Sequence, residues 1–100
     1  MLPETRFIRK MCKAGWKHEV VWHPEWTGRC KYKTKTVSIN VLRAIATVII
    51  HEHIHTQHPK WSEKQVLRAE TARREVLTKA GAIALIKGAC PKLYRKLKED

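Results

Sequence analysis

One hundred residues suffice for a single domain with one modest core. Hydrophobic residues make up 43% and charged residues 30%, which excludes a disordered chain, and no run reaches the about 18 apolar residues that a membrane-spanning helix needs. Twenty-one Lys and Arg against nine Asp and Glu give a net charge of +12, which suits acidic partners or substrates and leaves the fold open.

Pro3 opens a first helix, with Phe7, Ile8, Met11 and Cys12 at helical spacing and Gly15 placed to end it. Its charges (Glu4, Arg6, Arg9, Lys10 and Lys13) argue against a secretory leader. Lys17 to Trp22, rich in Val and Trp, predicts a short strand, and His23 to Gly28 a loop. Cys30 and Tyr32 alternate with Arg29, Lys31 and Lys33; Val37, Ile39 and Val41 alternate with Ser38 and Asn40. The two alternations are out of phase, so a turn falls within Thr34-Lys35 of a hairpin whose second strand runs from Thr36 to Asn40. The cysteines Cys12, Cys30 and Cys90 are odd in number and form no Cys-x-x-Cys pair, as expected of a cytoplasmic chain in a reducing compartment.

Asn40 is a natural N-cap for the next helix, Val41 to Gln57. Its apolar residues cover nearly the whole helical wheel, and Arg43 is its only charge before Glu52, which predicts a buried helix. Pro59 stops it. Ser62 to Gln65 reads as a capping box opening a helix to about Lys79. Gly81, Gly88 and Pro91 punctuate the remainder, which ends in a basic amphipathic stretch. His23-Pro24-Glu25-Trp26 and His58-Pro59-Lys60-Trp61 read as two loops, each anchored by a tryptophan.

The long helix ends in His51-Glu52-His53-Ile54-His55, an H-E-x-x-H motif. Residues four apart lie one turn above each other, so His51 and His55 can aim ring nitrogens at one zinc ion (Zn2+). Glu52, about 100° round the helix, can reach a water at that ion without ligating it, and so suits a general base. His53 falls on the far side of the wheel.

Zinc needs a third protein ligand. Glu70 is favoured because it lies inside the apolar arc of the following helix, where an inward carboxylate needs a partner. Glu63, at the margin of that arc, and His58 are the alternatives, and an ion pair of Glu70 with Arg73 or Arg74 competes with ligation. Thr36 to Asn40, centred on Val37, Ser38 and Ile39, can serve as a sheet edge to which an extended polypeptide substrate adds, or simply as a strand covering the helix.

Val37-Ser38-Ile39-Asn40, the apolar helix, His51 to His55, His58-Pro59 and Ser62-Glu63 together resemble the minigluzincins, small soluble zincin-type metallopeptidases. The resemblance spans Glu19 to Val76. It implies His51 and His55 as zinc ligands, Glu52 as general base and Glu70 as the third ligand from the following helix. It also implies latent forms, in which a C-terminal segment, here residues 81–100, blocks the cleft. His53 and His58 depart from the family pattern.

The expected architecture is a single α+β, zincin-like domain over residues 1–100, its small antiparallel or mixed sheet packed on a central active-site helix. The expected function is zinc-dependent peptide hydrolysis. The competing function is an inactive basic module of the same fold, which binds nucleic acid or a regulatory partner through Lys31, Lys33 and Lys35 and through Lys92, Arg95, Lys96 and Lys98.

Overall fold

The computed structural model describes residues 1–99; Asp100, the last residue of the expected blocking tail, lies outside them. Helix α1 (Pro3–Lys13) begins on its proline. It is followed by Gly15 at φ +92°, a left-handed turn that glycine adopts without strain and that reverses the chain into the sheet. Strands β1 (Lys17–Val20), β2 (Gly28–Lys31) and β3 (Thr36–Ile39) form a mixed sheet in the order β1-β3-β2. β3 runs parallel to β1, with Ser38 opposite Glu19, and antiparallel to β2, with Ser38 opposite Arg29. The hairpin turn falls where the alternation breaks, with Lys35 left-handed at φ +50°.

This topology corrects one expectation. β3 is the interior strand, and its backbone is committed on both sides, so Val37, Ser38 and Ile39 offer no edge to an extended substrate. The edges are β1 and β2. Ser38 is instead fully buried, and its hydroxyl donates to Glu19 Oε1 at 2.5 Å. Lys31 Nζ reaches the same oxygen at 3.2 Å, so one carboxylate ties all three strands. The Ser38 hydrogen bond first, and then that of Lys31, hold Glu19 below the ordinary carboxylate range.

Asn40 caps α2 (Val41–Gln57): its side-chain oxygen accepts from Arg43 N at 3.2 Å. Its Nδ2 donates to the carbonyls of His23 (2.7 Å) and Trp26 (3.0 Å), and Arg43 Nε donates to that of Pro24 at 3.2 Å. These bonds pin the loop after β1 to the start of the helix.

The buried residues of α2 are Arg43, Ala46, Ile50 and Ile54, one stripe three or four residues apart. Val48, on another side, is 61% exposed. The helix expected to be buried all round is fully buried along one stripe only; most of its remaining residues up to His51 are partly covered, with Val48 exposed. Its partners are α3 (Glu63–Glu75) and α4 (Lys79–Ala89), and the core joins Ile50 and Ile54 to Val66, flanked by Ala69, Leu77 and Leu85. No strand residue belongs to that cluster. The sheet is held to α2 through the capped loop, a second departure from the expected packing.

α3 stops at Glu75, short of the expected Lys79, because Thr78 caps a new helix by accepting from Gly81 N at 3.0 Å. Gly81 and Gly88 lie inside α4 and do not punctuate it. Ala82 and Ile86 are fully buried, and α5 (Pro91–Glu99) packs on α4. Among the described residues no helix is long and apolar enough to cross a membrane.

Candidate metal centre

The centre forms where α2 ends and α3 begins. His51 and His55 stand one turn apart with their Nε2 atoms 3.2 Å from each other. The chain then turns through His58, whose carbonyl accepts from Trp61 N at 3.0 Å and whose ring stacks on Trp61 with centroids 3.6 Å apart. His23 and Trp26 stack in the same way at 4.8 Å, so both His-Pro-x-Trp loops carry a histidine on a tryptophan. His58, the cap of α2, is absorbed in this stack.

Ser62 then starts α3 in a capping box: its hydroxyl accepts from Gln65 N at 3.3 Å, and Gln65 Oε1 accepts from Ser62 N at 2.9 Å. Glu63 is consequently the first residue of α3, aimed back at the end of α2. Its Oε2 lies 3.4 Å from His51 Nε2 and its Oε1 2.5 Å from His55 Nε2. One donor atom from each of the three residues falls within 4.8 Å of the others.

This donor set suits a metal such as zinc in its chemistry, and its atoms lie close enough together to share one ion. Two imidazole nitrogens and one carboxylate leave a fourth place open, the composition of catalytic zinc sites. Metal bonds of about 2.0–2.1 Å at tetrahedral angles put neighbouring donors about 3.3 Å apart. The separations of 3.2 Å and 3.4 Å at His51 are near that edge, whereas Glu63 Oε1 stands 2.5 Å from His55 Nε2, a direct hydrogen-bonding contact that an ion would have to open. Both histidines are half-buried, while the Glu63 side chain is 66% exposed, so the centre opens to solvent on the side of α3.

Glu70 is buried and directed inward, as its place on the wheel predicts, but it meets the other face of the cluster. Its Oε1 lies 3.3 Å from His51 Nδ1, the nitrogen that points away from His55 and Glu63. Its second oxygen is 3.5 Å from Arg74 Nε, so Arg74 is the cation that accompanies it and Arg73 is not. Glu63 and Glu70 are two turns apart on α3 and address opposite nitrogens of one imidazole. Wheel position does not separate them, because the wheel discards distance along the axis. The detectable signal was the capping box at Ser62, which sets Glu63 directly after a short turn from the histidines.

Glu52 is exposed beside His51 and makes no hydrogen bond or ion pair among the described residues. His53 projects elsewhere, into a cavity of about 280 Å³ between α2 and α4 that Arg73 and Leu85 also line. Val37, Ser38 and Ile39 lie in the sheet and contribute nothing to the cluster. The basic hairpin stripe is partly engaged inside the molecule: Lys31 pairs with Glu19, and Lys35 Nζ donates to the Ala14 carbonyl at 2.9 Å. No family model, curated protein or solved structure matches the chain.

Proposed function

We propose that this chain is a zinc-dependent metallopeptidase of the gluzincin kind, with His51, His55 and Glu63 as metal ligands and a polypeptide as substrate. The observation that carries the reading is the convergence of two Nε2 atoms and one carboxylate within 4.8 Å of one another, at the end of the helix that also bears Glu52. Bound zinc supplies Lewis acidity, which lowers the pKa of water and polarises a carbonyl. Glu52, next to His51 in sequence and unengaged among the described residues, would take the proton from the attacking water and return it to the leaving amine. Glu70, backed by Arg74, engages His51 Nδ1 and so keeps Nε2 as the lone-pair donor. The exposed Glu63 side of the cluster would let a polypeptide approach a metal held there.

The test is metal content and cleavage on protein purified without a histidine tag. One zinc per chain is expected, with chelator-sensitive cleavage of an unfolded polypeptide. Glu52→Gln should keep the zinc and lose activity by on the order of 10²-fold or more. Protein that takes up no zinc, or a Glu52→Gln variant as active as the parent, overturns the reading.

A further inference from the structure

The helices α1 and α5 share one design. In each, the basic residues gather on one side and the apolar residues on the other. α5 lays its apolar side on α4, and its Tyr94 and Leu97 are partly covered. α1 has no such neighbour: it packs to no appreciable extent on any other helix or strand, and no residue in it is buried. It is held at its C-terminal end, where Trp16 N donates to the Met11 carbonyl and Lys35 Nζ to that of Ala14. Leu2, Phe7 and Ile8 stand 68%, 63% and 46% exposed.

At about 100° per residue, Phe7, Met11, Ile8 and Cys12 span one arc. Arg9, Lys13, Arg6 and Lys10 span the opposite one, with Arg9 and Lys10 at the boundaries. Glu4, the single acid, falls within the apolar arc between Met11 and Ile8, so the apolar wedge is confined to the helix beyond its first turn. A short helix with an apolar wedge, cationic flanks and a cationic back is the form that lies in a bilayer interface: the wedge enters the acyl boundary, and the flanking cations meet the headgroups.

We infer that α1 is a docking element for an anionic lipid surface. Charge decides among the occupants. A second copy would bring +12 against +12, which opposes pairing. Nucleic acid would use the cations and leave the apolar arc in water. An anionic bilayer engages both faces, and the positive field of the whole chain draws it there.

The test is sedimentation of the full chain with vesicles of phosphatidylcholine alone, or of phosphatidylcholine mixed with phosphatidylglycerol. Binding to the mixed vesicles only is expected. Phe7→Glu combined with Ile8→Glu should weaken it at least about tenfold, because two apolar side chains no longer enter the interface. Zinc content should be unchanged in that variant, which separates this inference from the metal reading. Three results overturn it: no binding to the mixed vesicles, equal binding by the variant, or a concentration-dependent dimer that the variant abolishes.

Discussion

Two carboxylates seven residues apart on α3 reach the two nitrogens of one imidazole, and the consequences of removing them differ. Glu63 faces the nitrogens that point at the cluster centre. If the cluster holds zinc as proposed, Glu63→Ala removes a ligand and is expected to abolish stoichiometric zinc binding in a competitive chelator titration. Of the cluster, Glu70 reaches the rear nitrogen of His51, and its other oxygen pairs with Arg74. Glu70→Gln is expected to bind one zinc still, with affinity reduced about 10- to 100-fold, the usual penalty for losing a partner that orients a ligand. The opposite order of the two variants would assign the ligand role to Glu70. The inward direction of Glu70 was readable from the apolar arc of its helix. Which imidazole nitrogen it meets was not, because that depends on how far α3 is shifted along α2.

At the scale of elements, the end of α2, the His58–Trp61 stack and the capping box act as one unit. Ser62→Ala leaves the first backbone N–H groups of α3 without the serine oxygen, and a cost of about 1 kcal/mol is expected in denaturant titration. Glu63 is the next residue, so zinc affinity should fall in the same variant, while Ser62→Asp, which caps equally well, should restore both. In the sheet, the lowered carboxyl of Glu19 contributes stability at neutral pH, above its unfolded pKa. That contribution is lost as pH falls through the lower folded value. Glu19→Gln should thus be less stable than the parent at pH 7, and the gap should close on acidification in urea titrations. Both caps, Asn40 and Ser62, and the hairpin turn were visible in the sequence, since each depends on residues within a few positions of one another. The strand order was not, because the parallel pairing of β1 with β3 joins segments separated by a long excursion.

The whole molecule is more extended than its length requires. Its radius of gyration is 16.2 Å, against about 13 Å for a compact chain of this size. Its accessible surface is 7795 Å², where about 5,900 Å² is usual. The core is correspondingly small and depends on α4, whose Ala82 and Ile86 are fully buried. Ile86→Ala is expected to cost about 2–5 kcal/mol in denaturant titration. Trimming the chain after Thr78 should expose that core and unfold the protein. A segment that merely blocked the cleft would instead give a folded, more active protein when removed. The composition had announced a modest core, but not that helices would build it without the sheet.

Local rules were enough for the starts of α1, α2 and α3, the turn at Lys35 and the H-E-x-x-H spacing, though not for the Thr78 cap that opens α4. Periodicity, capping and charge pattern all act between residues close in the chain. Three matters were settled by packing: the interior place of β3, the partial cover of α2, and which nitrogen of His51 Glu63 and Glu70 each face. Each depends on how far one element slides or tilts against another, a displacement of a few ångströms that leaves no mark on the order of the residues.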